Sequence, residues 1–215
     1  WVKEHGSESP MEMASIHPQL QRSLTMARAD ALARHQHQRG PQGHPALLNH
    51  FLFLEETLSL ETLSSQGINP KEGAFAKWKI TPATFKTNLE FIVKAAQDFP
   101  LLRWRLDANA LFDFESLLKQ WKDLPHEERT LIDFIEDPCP YHENHWKVLA
   151  EAGMSLAMDF EIKAWLKGRS LKGVSRPLSP HEITFVLKPA IQDLQEWGDW
   201  LIENPSGVVL TSYLD

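Results

Sequence analysis

The 215-residue sequence has few of the features of secreted or membrane proteins. It contains one cysteine, Cys139, so no disulfide can form within the chain and a reducing compartment is favoured. No apolar run approaches the roughly 20 residues that span a bilayer, and no signal-peptide pattern opens the sequence. We therefore expect a cytoplasmic protein with no membrane partner.

An excess of positive charge and a glycine-rich phosphate loop are also missing. The formal net charge is −7 at pH 7 and the pI is near 5.8, which argues against the basic face that nucleic acids require. No Gly-x-Gly-x-x-Gly follows any predicted strand, which weakens the case for a nucleotide-binding open sheet. No nucleic-acid partner is therefore expected, and the sequence predicts no oligomeric state. The partner that the residues described below indicate is a small-molecule carboxylate substrate.

The chain does contain a repeated alternation of strands and helices. Short apolar strands alternate with helices whose apolar residues recur at helical spacing, which implies parallel strands joined by crossovers. A polar group ends every strand from the second to the sixth, which favours an α/β fold of the TIM-type (β/α) barrel class over an open doubly wound sheet. The predicted strands are 47–53, 75–80, 101–107, 131–136, 155–159, 183–188 and 207–212.

The domain prediction follows from the same pattern. Residues 1–16 are polar and irregular and are predicted to be an N-terminal remnant, whereas residues 17–215 are predicted to form one barrel domain that begins with a helix over 18–36. A typical barrel has about 250 residues. The chain is therefore expected to be an incomplete barrel, short by roughly one strand–helix unit, with its last part truncated.

Three consecutive predicted strands end on a carboxylate, at Asp107, Glu136 and Asp159. Adjacent strands lie about 4.8 Å apart, so these acids would repel one another unless a cation lay among them. A hard divalent cation fits, because Mg²⁺ prefers oxygen ligands and keeps waters that a substrate can replace. The alternative is that individual acids cap the following helix or pair with a lysine.

Lysines end the two flanking strands. Lys77 and Lys79 share one face of the second strand, and Lys188 ends the sixth strand, just before Pro189. A free lysine has a pKa near 10.4, but a second ammonium and a nearby dication would lower the pKa of Lys79 towards the roughly 7–8 range of a general base. A base, a cation and an opposing ammonium suit abstraction of a proton next to a carboxylate.

Other polar residues are weaker candidates. Ser212, at the end of the seventh predicted strand, could bind a substrate carboxylate. His142 and His145 fit a surface helix face better than a metal site, and Cys139 fits a small buried thiol.

Five short motifs carry a resemblance to a known family. In order they are Lys77-Trp78-Lys79, Leu106-Asp107-Ala108-Asn109, Ile135-Glu136-Asp137-Pro138, Met158-Asp159 and Leu187-Lys188-Pro189. As an ordered set they resemble the enolase superfamily, within it the muconate-lactonizing subgroup, and most closely the o-succinylbenzoate synthase family.

The resemblance implies roles for seven residues of these motifs. Asp107, Glu136 and Asp159 would ligate Mg²⁺, which Mn²⁺ could replace. Lys79 would remove the α-proton and then assist departure of a hydroxyl in a syn elimination, and Lys188 would hold the enediolate intermediate. Lys77 would tune Lys79, and Asn109 would orient a metal ligand. The implied reaction is dehydration of 2-succinyl-6-hydroxy-2,4-cyclohexadiene-1-carboxylate in menaquinone biosynthesis.

The chain also departs from the family pattern. An N-terminal capping domain and an eighth strand are expected to be largely absent from this sequence. In addition, Phe160 follows Asp159 where relatives often have a polar residue, and the 169–180 insertion is long. Sister reactions therefore stay open, namely N-acylamino-acid racemisation, dipeptide epimerisation and muconate cycloisomerisation. A third hypothesis is a non-catalytic barrel with a binding role, which the five intact motifs disfavour.

Overall fold

The computed structural model describes residues 51–53, 58–71, 73–172, 174–178, 183–188, 194–204 and 207–210. The predictions for the irregular 1–16 segment, for the 18–36 helix and for Ser212 lie outside the described residues.

Strands and helices alternate through the described ranges as the periodicity predicts. They are β1 (Phe51–Phe53), α1 (Leu60–Ser65), β2 (Ala74–Lys79), α2 (Phe85–Asp98), β3 (Leu102–Asp107), α3 (Phe114–Asp123), α4 (His126–Arg129), β4 (Ile132–Glu136), α5 (Glu143–Glu151), β5 (Leu156–Met158), α6 (Ile162–Leu166), β6 (Ile183–Leu187), α7 (Leu194–Glu203) and β7 (Gly207–Leu210). The single turn α4 was not predicted, because it is polar and too short to show a helical period. None of the helices in the described part has the length and apolar character needed to cross a membrane.

The strands form one curled parallel sheet. They lie in the order β1 to β7, each paired with its neighbours in the chain, and every pair is parallel. A doubly wound sheet reverses its strand order at a switch point, whereas a (β/α) barrel does not. The prediction of a TIM-type (β/α) barrel fold is confirmed, with seven of its strands in the described ranges.

Side-chain alternation gives the sheet two different faces. The face towards the helices carries most of the apolar core, with Trp78, Leu106 and Phe185 fully buried. The opposite face carries a small separate apolar cluster of Phe134, Ala157, Val186 and Val209. Because side chains of a strand alternate between faces, the residues two positions after each cluster member share its face. The polar residues at the carboxyl ends of the strands therefore lie above this inner cluster.

Candidate active site

The ends of β3, β4 and β5 bring the three predicted acids to one end of the sheet. Asp107 and Glu136 are direct partners across β3 and β4, and they are 4% and 2% exposed. Glu136 pairs with Ala157, so Asp159 lies two residues further along on the same face. The three carboxylates thus belong to neighbouring strand ends, as the spacing of the motifs predicts.

Lys77 lies between the first two acids. Its Nζ is 3.0 Å from Glu136 Oε1 and 3.2 Å from Asp107 Oδ2, and its side chain is 1% exposed. Burial disfavours the charged form, but the two carboxylates outweigh this effect and raise the pKa of Lys77 above its ordinary value. We expected Lys77 to act on Lys79; its described contacts are instead with the acids. The sequence could not show this, because the pairing depends on the register of three strands.

The environment of Glu136 shows that the three acids influence one another. Burial raises the pKa of Glu136, the charge of Lys77 opposes the rise, and the charges of Asp107 and Asp159 add to it. The ionised form of Glu136 is therefore disfavoured by more than Lys77 offsets, unless further positive charge lies nearby. Such an arrangement favours the binding of a cation.

The two remaining lysines differ in their contacts. Lys79, at the end of β2, is half-buried and is the backbone partner of Asp107 across the sheet. Within the part of the chain that the structure describes, no hydrogen bond or ion pair engages its ammonium. Lys188 follows β6 and donates from Nζ to Asp159 Oδ2 at 2.5 Å. The pairing of an acid with a lysine, which the sequence left as an alternative, is thus the arrangement present for all three acids.

The acids have the chemistry of a magnesium site, although they do not surround one point. Among the described residues, no group of three or more His, Cys, Asp or Glu side chains is arranged to hold a metal ion. The lysines account for this, since Lys77 holds Asp107 and Glu136, and Lys188 holds Asp159. The donor set still fits Mg²⁺, because its ligands are carboxylate oxygens and because three acids share two ammonium partners.

Asn109 contacts Asp107 in a different way from the one expected of a ligand-orienting amide. Its side chain is exposed, and its backbone N–H donates to Asp107 Oδ1 at 3.3 Å. The backbone of Asn109 is left-handed, with φ of 48°, a conformation that asparagine adopts more readily than most residues. Any support that Asn109 gives to Asp107 in this structure therefore comes from its main chain.

Asp137 belongs to one of the five motifs, but the sequence does not predict its contacts. It is 2% exposed, and burial raises its pKa to about 7, while hydrogen bonds from the backbone of residues 159–161 oppose the rise. The signal in the sequence was its position, directly after a strand-end acid and before a proline.

The weaker candidates, Cys139, His142 and His145, make contacts that fit a structural role. Cys139 is buried, and burial raises the pKa of its thiol to about 11, so the prediction of a small buried thiol is confirmed. His142 is exposed, and the ring of His145 stacks on Phe114 with centroids 4.1 Å apart. A cleft of about 730 Å³ between residues 170–175 and α7 is lined by none of the strand-end acids or lysines.

The fold and the strand-end groups together define a class of protein. Parallel strands in sequential order, with acids and lysines at their carboxyl ends, characterise a (β/α)-barrel protein whose site lies at that edge.

Comparisons with known proteins point to the same class. No family model matches the chain. The chain is 27% identical over 217 residues to the o-succinylbenzoate synthase of Bdellovibrio bacteriovorus, an alignment that covers 96% of this chain and 59% of that protein.

Solved structures share the fold. The crystal structure of o-succinylbenzoate synthase from Thermosynechococcus elongatus BP-1, complexed with Mg in the active site, matches with a TM-score of 0.55 and 21% identity, over 98% of this chain and 64% of that one. The muconate lactonizing enzyme from Pseudomonas putida matches with a TM-score of 0.62 and 13% identity, over 88% of this chain and 53% of that one. The chain thus spans less than two thirds of the length of these relatives.

These likenesses and the five ordered motifs support the assignment of the chain to the enolase superfamily. Within the superfamily, the curated relative and one of the solved structures are o-succinylbenzoate synthases.

Proposed function

We propose that the chain carries the metal and acid–base groups of a Mg²⁺-dependent o-succinylbenzoate synthase-like lyase. Its substrate would be 2-succinyl-6-hydroxy-2,4-cyclohexadiene-1-carboxylate, and its reaction a dehydration that belongs to menaquinone biosynthesis. The observation that carries the proposal is the gathering of Asp107 and Glu136 around Lys77, with Asp159 and Lys188 paired on the next strand ends.

Asp107, Glu136 and Asp159 would hold the metal ion. When bound, Mg²⁺ would supply the positive charge that stabilises the carboxylate oxygens of a deprotonated substrate. Mn²⁺ could replace it, since it too accepts carboxylate oxygen ligands. Lys77 would hold Asp107 and Glu136 in place, because its ammonium lies 3.2 Å from one carboxylate and 3.0 Å from the other, and its charge opposes the rise in the pKa of Glu136.

Lys79 is the proposed base. It stands at the end of β2 beside Asp107, and no partner within the described ranges ties up its nitrogen. It would take the α-proton, leaving the electron pair of the C–H bond in an enediolate. Expulsion of the hydroxyl would then break the C–O bond, with the same proton returned from Lys79 to form water.

Lys188 is proposed to stabilise the negative charge of the enediolate rather than to transfer a proton. It already donates to a carboxylate, Asp159 Oδ2, at 2.5 Å, and a cation in that state suits stabilisation of the enediolate oxygens. A racemase or epimerase needs a second base on the opposite face of the substrate. Because Lys188 donates to Asp159 instead of standing ready to accept a proton, this contact favours the lyase. Ser212, outside the described residues, stays a prediction for binding the substrate carboxylate.

The proposal is tested by assaying turnover of the cyclohexadiene carboxylate and of N-succinyl amino acids, with Mg²⁺ and with EDTA. We expect dehydration that EDTA abolishes, and a loss of about 10²–10⁴-fold in Lys79→Ala. Lys86→Ala, at an exposed position of α2, is the matched control and should retain full activity. Turnover that survives EDTA or Lys79→Ala would contradict the mechanism, and racemisation without dehydration would replace the proposed reaction by its sister reaction.

A further inference from the structure

The carboxylate of Asp137 gathers the backbone of the next loop. It accepts the N–H groups of Asp159 at 3.1 Å, of Phe160 at 2.6 Å and of Glu161 at 3.4 Å. These three residues form the turn between β5 and α6, and Asp159 is its first member. A charged acceptor for three consecutive N–H groups fixes that turn more firmly than neutral contacts would.

A second carboxylate makes the reciprocal contact. Glu161, which is buried, accepts the backbone N–H of Tyr141 at 2.6 Å, in the loop that begins with Asp137. Each of the two loops, after β4 and after β5, thus supplies a carboxylate that accepts backbone N–H groups of the other loop. We call this pair of contacts the Asp137–Glu161 clasp.

The main chain of Asp137 extends the clasp to the strands on both sides. Its N–H donates to the carbonyl of Ala157 in β5 at 2.9 Å, and its carbonyl accepts the N–H of Ala110 at 2.6 Å, in the loop after β3. One residue therefore touches the segments that carry Asp107, Glu136 and Asp159.

Two features of Asp137 each cost free energy when the protein folds. Its φ is 42°, in the left-handed region that most side chains avoid. Its carboxylate is buried, and the desolvation of a charged group is only offset by well-placed donors. Such a combination is commonly found where the backbone must be held in one arrangement for function.

We infer that Asp137 is a positioning residue for the metal site, holding the turn that aims Asp159 and fixing its spacing from Glu136. This inference rests on the proposed function in one respect, that the strand-end acids bind a divalent cation. Asp137 itself would not touch the metal, since its carboxylate is engaged by the backbone of residues 159–161.

Asp137→Asn is the informative variant. Asparagine has nearly the same size and tolerates a left-handed backbone, so the main chain is not strained. It replaces one carboxylate oxygen by an NH₂ group, which meets N–H donors and cannot accept from them. The matched control is Asp113→Asn, because Asp113 also accepts a backbone N–H, that of Ser116 at 2.9 Å, at the start of α3.

The experiment measures the affinity for Mn²⁺ of the purified protein and both variants by electron paramagnetic resonance, well below their unfolding temperatures. We expect Asp137→Asn to weaken binding about 10–100-fold, and Asp113→Asn to leave it within about twofold of the unchanged protein. Hydrogen exchange of the amides at 159–161, measured without metal, should be faster in Asp137→Asn only.

The outcomes separate the two proposals. Absence of Mn²⁺ binding by the unchanged protein would overturn the metal site, and the exchange rates at 159–161 would then decide the positioning role alone. Binding by the unchanged protein, with equal binding by Asp137→Asn or an equal loss in Asp113→Asn, would overturn only the positioning role.

Discussion

Replacing Lys77 by methionine removes the charge that holds Asp107 and Glu136 together. The ammonium is 3.0 Å from Glu136 Oε1 and 3.2 Å from Asp107 Oδ2, and all three side chains are buried. Methionine has a volume similar to that of lysine, so the variant creates little cavity. Its main effect is to leave two buried carboxylates without the cation that lies between them. Because both acids lose their cation inside the protein, the change is more damaging than loss of a surface pair.

The expected loss in the free energy of unfolding is about 3–5 kcal/mol near neutral pH, the range for breaking a buried ion pair on one side. Lys147→Met is the control, because Lys147 forms an exposed pair with Glu151 at 3.9 Å, and such pairs contribute about 0–1 kcal/mol. Urea unfolding in EDTA, followed by tryptophan fluorescence, measures both losses.

The sign of the pH dependence is also fixed. In the unchanged protein the pKa of Lys77 is raised on folding. The stability that Lys77 contributes is therefore fully present below its unfolded pKa of about 10 and is lost as the pH rises through the higher folded value. In Lys77→Met, Glu136 loses the ammonium that opposes the rise in its pKa, so its ionisation destabilises the folded protein increasingly as pH rises above about 4–5. The deficit should therefore be smaller at pH 5 than at pH 8. Both unfolding measurements are made in EDTA, because a bound divalent cation would stabilise each folded protein by its own affinity and obscure the comparison. A deficit at pH 8 no larger than that of Lys147→Met would refute the reasoning.

Two further substitutions and one labelling experiment test the local structure. Gly153→Ala should lower the free energy of unfolding by about 1–2 kcal/mol, because Gly153 has a φ of +80°; no loss in a urea titration would contradict the left-handed turn. Gly198→Ala, within α7 where an added Cβ meets no atom within 4 Å, should instead raise it by about 0.5–1 kcal/mol, and a loss would show that the position is not an open helical one. Cys139, whose thiol pKa burial raises to about 11, should react with a disulfide reagent at pH 8 roughly 100-fold more slowly than in urea, so equal rates would argue against its burial.

The fold could be predicted because its signals are local. Each predicted strand after the first matches the described one within two residues, apart from 211–212, which lie outside the described ranges. Apolar runs bounded by proline and glycine mark these strands, and polar ends on successive strands indicate their sequential order.

The contacts within the site could not be predicted in the same way. The pairing of Lys77 with two acids depends on the β3–β4 register, which shifts between Trp104 and Arg105. Asp137 and Asn109 lie beyond their strands with left-handed backbones, where strand alternation no longer says which way a side chain points. The sequence therefore predicts which residues meet at the strand ends. It does not predict how the residues of the following loops position those side chains.

The central claim is that Asp107, Glu136 and Asp159 act together on one divalent cation. Calorimetric titration of the protein and of Glu136→Gln with Mg²⁺ tests it most directly, because the substitution keeps the shape of the middle acid and removes its charge. We predict one binding site per chain in the unchanged protein and no measurable binding in Glu136→Gln. Absence of binding to the unchanged protein, or the same affinity in both, would contradict the claim.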